Sequence, residues 1–291
     1  MSQRISIEDI PEDVLYHVFN PLLLKRELLS CSLLSKKWRS TTFIQAFRSL
    51  SLLVKSKQEP NKPRAKINRY VEDLLGDPFF SSIQHIVRRL TLRWAGRPGL
   101  ASDIEFDFVD FLPSFPALSS LTLRGKVGKR LTASHSHLKG SLRLDELVIN
   151  GIIRRHFQDH SFNALCDLLS TFGSLKSLVL RNLWQWVESP SRYEPVNWGR
   201  WTLPQPNSLV LENFALFQGF QGLFEQTTLL KKVKDFNIMA IGCGSTCGIM
   251  MVCTSSLESL SLALGPGLYE VVQEGHLEQR FGTSRVHRRI V

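Results

Sequence analysis

Three cysteines late in the chain, Cys243, Cys247 and Cys253, are the side chains best spaced to hold a metal ion. Structural zinc sites need a full set of four ligands, and no fourth ligand lies at the usual spacing. The glycine-rich run 242–248 follows a predicted strand. However, Cys247 stands where a dinucleotide-binding fingerprint needs glycine, and no P-loop lysine follows. We therefore interpret the cysteines as small buried apolar residues and predict neither a metal nor a cofactor.

Candidates for acid–base or nucleophilic catalysis are equally weak. His156 and His160 are four residues apart, but the segment between them lacks the glutamate of a zinc-protease motif. No nucleophile lies in a recognisable elbow motif, and no pair of carboxylates stands out. The sequence therefore predicts a protein that is not an enzyme.

An aromatic-rich stretch from Trp184 to Pro206 is the best candidate for a binding function. Loops of this length are uncommon unless they bind something or are disordered, and five large aromatic residues argue against disorder. Trp, Tyr and Arg are also enriched at interface hot spots. We expect the substrate-binding residues to be Trp184, Trp186, Arg192, Tyr193, Trp198 and Trp201, with Trp198 and Trp201 exposed. The alternative is that the tryptophans pack on the rest of the fold as a lid.

The N-terminal segment predicts a second binding element, made of short helices. Pro11 suits the first turn of a helix, and the two carboxylates that follow favour its positive end. Apolar residues then recur at helical spacing from Val14 to Leu22, and further apolar segments surround Leu28 and Trp38. A segment of roughly 40 residues usually cannot bury enough apolar surface to be stable alone. We therefore expect part of its surface to be covered by something else.

Two motifs frame this segment, Ile10-Pro11-Glu12-Asp13-Val14-Leu15 and Cys31-Ser32-Leu33-Leu34-Ser35-Lys36-Lys37-Trp38-Arg39. With them the segment closely resembles the F-box, although Ile10, Leu34 and Ser35 replace the family's usual leucine, valine and cysteine. The resemblance implies docking on the Skp-type adaptor of a cullin–RING ubiquitin ligase, while the remaining chain selects the substrate. It assigns these residues to the adaptor-binding face: Ile10, Pro11, Leu15, Leu22, Leu28, Leu34 and Trp38. The alternative is an ordinary helical N-terminal subdomain.

A repeat governs the rest of the chain. A Leu-x-Leu unit recurs every 24 to 31 residues, at 90–92, 121–123, 147–149, 178–180, 209–211, 236–238 and 260–262. Self-similarity at this period indicates a solenoid of stacked units. Helical patterns between the units, the best of them between Ser161 and Gly173, predict parallel strands joined by crossovers. The leucine pattern of the first five units predicts that their apolar side chains lie buried on adjacent parallel strands.

These units resemble degenerate leucine-rich repeats, because Asn150, Asn182 and Asn213 are out of register with a regular asparagine ladder. We therefore predict an α/β fold, in which a short all-helical F-box module precedes an irregular leucine-rich-repeat-like solenoid of parallel strands and helices. A doubly wound α/β domain is the alternative. The predicted segments are the module (1–47), a connector (48–67), the repeat region (68–275) and a frayed basic tail (276–291). Within the connector, alternating apolar and polar residues at 48–52 predict a first short strand, and residues 55–66 are polar.

Composition sets further bounds. The net charge of +10 is spread along the chain, which favours an acidic partner over nucleic acid. The five cysteines are an odd number, and the N-terminal residues do not form a secretory signal, so we expect reduced thiols in the cytoplasm or nucleus. The uncharged run from Phe236 to Leu257 is long enough to span a membrane, but its many glycine and hydroxyl residues favour a strand and a buried helix.

The resemblance and the repeat together predict a substrate-recognition adaptor of an SCF-type ubiquitin ligase, similar to F-box proteins of the fungal type. Its expected partners are a Skp-type adaptor, through it the cullin and RING subunits, and a protein substrate whose identity the repeats do not encode. The alternative is a non-catalytic interaction scaffold without ligase function.

Overall fold

A computed structural model describes residues 11, 14, 25–55, 76–95, 111–124, 139–151, 160–182, 198–214, 223–240, 256–264 and 285–288. The α-helices that it describes from end to end are α1 (Lys25–Cys31), α2 (Lys36–Phe47), α3 (Pro78–Ile83) and α4 (His160–Ser170). Its strands are β1 (Ser49–Lys55), β2 (Arg89–Ala95), β3 (Ser120–Arg124), β4 (Leu142–Asn150), β5 (Phe172–Arg181), β6 (Ser208–Phe214), β7 (Asp235–Ala240), β8 (Ser259–Leu264) and β9 (Arg285–Arg288). Short 3-10 helices occupy Gln84–Ile86, Leu112–Ser114 and Trp198–Arg200.

The nine strands form one sheet in which the strand order follows the chain from β1 to β9. Every neighbouring pair is parallel. A doubly wound sheet reverses its strand order at a switch point. The described strands show no such reversal, so the doubly wound alternative is wrong. The protein has a mixed α/β fold, in which N-terminal helices are followed along the chain by the strands of a long parallel sheet.

The leucine repeat fixes the register of the sheet. Leu121 lies opposite Leu90 on one side and Leu147 on the other, and the same alignment continues through Leu178 to Leu209. The ten apolar side chains of these five units are at most 1% exposed. Because side chains alternate between the two faces of a strand, matching units place all these residues on one buried face. The predicted burial on adjacent parallel strands is confirmed.

A recurring junction at the start of the strands shows that the sequence period is also a structural period. The carbonyl oxygen of the residue before one strand accepts hydrogen bonds from two consecutive backbone N–H groups at the start of the next. The Arg48 carbonyl, for example, accepts from Arg88 at 2.9 Å and from Arg89 at 3.0 Å. The carbonyls of Arg88, Ser119, Asn207 and Lys234 do the same. The same backbone connection therefore joins five neighbouring strand pairs, namely β1–β2, β2–β3, β3–β4, β6–β7 and β7–β8.

Asparagines at the carboxyl ends of β4 and β5 form a hydrogen bond although they are out of register. Asn150 lies opposite Arg181, one residue before Asn182. Asn182 adopts a positive φ of 56°, a conformation that asparagine tolerates better than most residues. Its side-chain amide donates to Asn150 Oδ1 at 2.8 Å. The predicted offset is therefore present, and the backbone conformation of Asn182 accommodates it.

The N-terminal helices and the sheet share one apolar core. Leu28 of α1 and Phe47 of α2 belong to the same buried cluster as the strand leucines. The Phe47 and Phe79 rings are 5.4 Å apart between centroids. Arg48 alone separates α2 from β1. Helices α1 and α2 are therefore packed directly on the first units of the sheet.

The short strand predicted at 48–52 is present as β1, which runs on to Lys55, while residues 56–67 of the connector lie outside the described chain. The tail does not match its prediction. The tail, predicted to fray, pairs through Arg285–Arg288 with β8. Strand pairing satisfies backbone N–H and C=O groups whatever the side chains are. A basic composition is therefore compatible with a final strand.

The helix predicted after Ser161 is present as α4, but it ends before Gly173. The Ser170 hydroxyl donates to the Asp167 carbonyl and the Thr171 hydroxyl to the Leu168 carbonyl, both at 2.7 Å. These bonds satisfy carbonyls that a helix end leaves without a partner. Helical patterns predicted at 68–75 and 249–253 lie outside the described residues. The pattern predicted at 104–112 is described only at its end, where Phe111 is helical and a 3-10 helix begins at Leu112.

Gly173 serves a close backbone approach instead. A Cβ atom on Gly173 would overlap the carbonyl oxygen of Gly140 and lie 2.9 Å from its carbon. Gly140 cannot move freely, because its N–H donates to the Ser170 carbonyl at 3.0 Å. We expect Gly173→Ala to lower the free energy of unfolding by about 2 kcal/mol through overpacking, as measured by urea denaturation.

The matched control is Gly76→Ala, since a Cβ atom there would have no neighbour within 4 Å. Gly76 is helical, so alanine should leave stability unchanged or raise it by up to about 1 kcal/mol. Equal effects of the two substitutions would show that the contact between Gly140 and Gly173 is not tight.

Candidate functional site

The turn between α1 and α2 displays two adjacent leucines. Leu33 is 79% exposed and Leu34 is 74% exposed. Their backbone is nevertheless fixed, because the N–H of Leu33 donates to the Ser30 carbonyl and that of Leu34 to the Cys31 carbonyl, both at 3.1 Å. The Ser32 hydroxyl donates to the Leu29 carbonyl at 2.6 Å. An ordered turn therefore presents a small apolar patch, the Leu33–Leu34 turn.

The residues behind this turn are buried. Leu28 is 6% exposed and lies in the core. Trp38 is half-buried and packs against the same core. The Thr42 hydroxyl is buried in α2 and donates to the Trp38 carbonyl at 2.7 Å. The described part of the predicted adaptor-binding set thus divides into an exposed Leu34 and a supporting layer of Leu28 and Trp38.

Of the other predicted adaptor-binding residues, the structure describes only Pro11. Pro11 is exposed. The remaining members, Ile10, Leu15 and Leu22, lie outside the described residues. Leu33 was not among the predicted residues, although the flanking Ser32 and Ser35 are residues that favour turns.

The aromatic stretch contributes a second candidate surface, but Trp201 does not belong to it. Trp201 is 7% exposed, so the prediction that it is exposed is wrong. Its indole Nε1 donates to Asp167 Oδ1 of α4 at 2.6 Å, and the Arg200 guanidinium lies 3.9 Å from the ring centroid. A buried tryptophan needs a partner for its N–H, and Asp167 supplies it. Trp201 therefore fastens this segment to α4, as the lid interpretation expects.

Trp198 is partly exposed and partly buried. Its ring lies 6.2 Å from that of Trp201 between centroids, and it packs partly against the core. Part of its surface stays accessible. The other predicted members of this surface, Trp184, Trp186, Arg192 and Tyr193, lie outside the described residues.

The bond between Trp201 and Asp167 can be tested by Trp201→Phe, which keeps a ring and removes the donor. A hydrogen bond to a carboxylate contributes about 1.5–3 kcal/mol when buried. The Asp167 side chain is 37% exposed, so we expect a loss of about 1–2 kcal/mol in the free energy of unfolding. Trp198→Phe, which removes no bond to Asp167, should cost less. Equal losses in urea denaturation would argue against the fastening role.

Groups suited to catalysis or metal binding find little support in the described part of the chain. Burial raises the pKa of the Cys166 thiol, and the charge of Asp167 adds to the rise, so the thiol stays neutral and is a poor nucleophile. Within the described ranges, no three or more His, Cys, Asp or Glu side chains cluster so as to hold a metal ion. The candidates Cys243, Cys247, Cys253 and His156 lie outside those ranges, and so does the side chain of His160.

The possible membrane segment begins with a strand, since β7 occupies Asp235–Ala240. Residues 241–255, which follow, lie outside the described chain. None of the described helices is long and apolar enough to cross a membrane.

Comparison with known proteins identifies the N-terminal part of the chain. A family model described as F-box-like matches residues 7–52. The matched residues include α1, α2, the Leu33–Leu34 turn and the first part of β1. A search of curated proteins finds no match, and the family match does not distinguish a fungal-type subfamily. The chain therefore carries an F-box-like domain at residues 7–52 and is in that sense an F-box protein.

Proposed function

We propose that this chain is the substrate-recognition subunit of an SCF-type cullin–RING ubiquitin ligase. In this proposal the F-box-like domain docks on a Skp-type adaptor and through it on cullin and RING subunits, while the repeat region binds a protein substrate. The observation that carries the proposal is the exposed Leu33–Leu34 turn inside the matched domain. The chain itself has no catalytic role, and the ligase acts in the cytoplasm or nucleus.

The energetics of the turn support a docking role. Full burial of a leucine side chain contributes about 1.5–3 kcal/mol, and Leu33 and Leu34 keep most of their surface available for this. The ordered backbone of the turn means that little conformational entropy is lost on binding. We propose that Leu33 joins Ile10, Pro11, Leu15, Leu22 and Leu34 at the adaptor, with Leu28 and Trp38 supporting them from the core.

For the repeat region we propose a leucine-rich-repeat-like arc. Its support is the shared register of the leucine units and the backbone junction that recurs at the start of the strands. The aromatic segment of residues 184–198 is proposed as a substrate surface, and Trp201, shortly after it, is bonded to Asp167 of α4. The domain division is retained as a proposal with one change, namely that β1 belongs to the sheet.

The proposal is tested by mixing the purified chain with a Skp-type adaptor and its cullin and RING subunits and analysing the mixture by size-exclusion chromatography. Coelution of all four proteins is expected. If the chain is instead a scaffold without ligase function, it elutes apart from the adaptor. Deleting residues 1–47 is a poor control, because it removes Leu28, Ala46 and Phe47 from the shared core. Substitutions on the exposed turn avoid this problem.

A further inference from the structure

Three strands at the N-terminal end of the sheet carry a distinctive outer face. Side chains that alternate with the core leucines point away from the core. Within 49–53, 89–93 and 120–124 these residues are arginines and hydroxyl residues apart from Leu53, and we call their surface the arginine face: Ser49, Ser51, Arg89, Thr91, Arg93, Ser120, Thr122 and Arg124. All three arginines are exposed.

The strand register determines how these arginines are spaced. Arg93 lies directly opposite Arg124 on the neighbouring strand, a separation of about 5 Å between backbones. Arg89 lies between Ser49 and Ser120, about 13 Å along β2 from Arg93. The face therefore holds a pair of positive charges at one end and a single charge at the other, with hydroxyl groups between them.

Two charged side chains farther along the sheet pair with each other, whereas the arginines of this face do not. Arg181 of β5 forms a two-point pair with Glu212 of β6, at 2.7 Å and 3.0 Å. Glu146 of β4 accepts a hydrogen bond from the Ser120 hydroxyl at 2.8 Å. None of Arg89, Arg93 and Arg124 forms an ion pair with another residue that the structure describes.

We propose that the arginine face binds an extended, carboxylate-rich segment of a partner protein. The guanidinium group matches the geometry of a carboxylate and can donate two parallel hydrogen bonds to it. One anion cannot contact both Arg89 and Arg93, but acidic residues about four positions apart in an extended segment span this distance. The hydroxyl groups between the arginines can donate to the carbonyls of such a segment.

The inference rests on the proposed function in one respect, because the acidic segment would belong to a protein substrate of the ligase. It fits nucleic acid less well, because nucleic-acid-binding proteins carry basic residues along an extended patch or stripe. Here the arginines occupy only two strands, β2 and β3, and are followed by Glu146 on β4 and Glu212 on β6. The geometry therefore favours a short acidic protein segment.

The experiment measures fluorescence anisotropy of a labelled peptide of about ten residues in which Glu alternates with Ser, so that an extended peptide presents its carboxylates on one face. A peptide with Gln in place of Glu is the ligand control. The test variant of the full chain is Arg89→Gln/Arg93→Gln/Arg124→Gln. The matched protein control is Lys139→Gln/Lys231→Gln/Lys232→Gln, which removes equal charge at exposed positions in turns.

We expect wild type to prefer the Glu peptide, and the arginine variant to raise its Kd about tenfold or more, because charge-assisted hydrogen bonds are lost. The lysine control should raise the Kd less than about threefold, and binding should weaken as salt is raised. Circular dichroism checks that each variant is folded. The pair Arg93→Gln/Arg124→Gln replaces the triple variant if that one unfolds.

Equal binding of the Glu and Gln peptides, or equal weakening by the lysine control, would overturn the proposal and leave only attraction to the diffuse positive charge. Tighter, arginine-dependent binding of an oligothymidine of about ten nucleotides would overturn it in favour of nucleic acid. Adaptor binding is measured separately on the same variant. Because the arginines lie outside the matched domain, failure of adaptor binding would count against the proposed function alone.

Discussion

Replacing Leu178 with Ala should lower the free energy of unfolding by about 2–5 kcal/mol. Leu178 is fully buried on β5, the fifth of nine strands, with Leu147 and Leu209 opposite it on the two neighbouring strands. Backbone hydrogen bonds hold both neighbours in place. The surroundings therefore collapse only partly into the space that the missing methyl groups leave, and the cavity adds to the lost burial.

The control for this substitution is Ser177→Ala, which lies next to Leu178 but on the outer face of the same strand. It should change stability by less than about 0.5 kcal/mol. Urea denaturation followed by circular dichroism measures both variants. Because α1 and α2 share a core with the sheet, we also expect a single unfolding transition. If Leu178→Ala lowered the free energy of unfolding by less than about 0.5 kcal/mol, the assignment of β5 as a buried strand would be contradicted.

The sheet could be predicted because one local pattern specifies both strand position and register. A Leu-x-Leu unit places two side chains on one face, and stacking equal units aligns Leu90, Leu121 and Leu147 without further information. The same alternation predicted the start of β1, but not its full length to Lys55. The tail was harder, since composition describes side chains while strand pairing depends on the backbone. Arg285–Arg288 pairs with β8 although its side chains are largely basic.

The candidate site was predicted less completely, because helical spacing identifies an apolar face and not what covers it. Leu28 and Leu34 look equivalent in the sequence, yet one is in the core and the other is 74% exposed. Trp201 is buried because of Asp167, a residue 34 positions earlier. The arginine face depends on the register of β2 and β3, which brings Arg93 next to Arg124.

Replacing the two exposed leucines, Leu33→Asp/Leu34→Asp, should abolish binding to the Skp-type adaptor. Two leucines that become buried in an interface contribute about 3–6 kcal/mol, and burying carboxylates there adds a further cost. We therefore expect the affinity to fall by at least about 100-fold. Stability should be unchanged, because both side chains are largely exposed in the free protein.

The control is Met239→Asp, which places a carboxylate on an exposed apolar residue of β7, outside the matched domain. Both variants are copurified with the Skp-type adaptor, and their thermal melts are recorded alongside. The docking role of the Leu33–Leu34 turn predicts that wild type and Met239→Asp retain the adaptor while the double variant loses it without a change in melting temperature. Retention of the adaptor by the folded double variant would contradict that role.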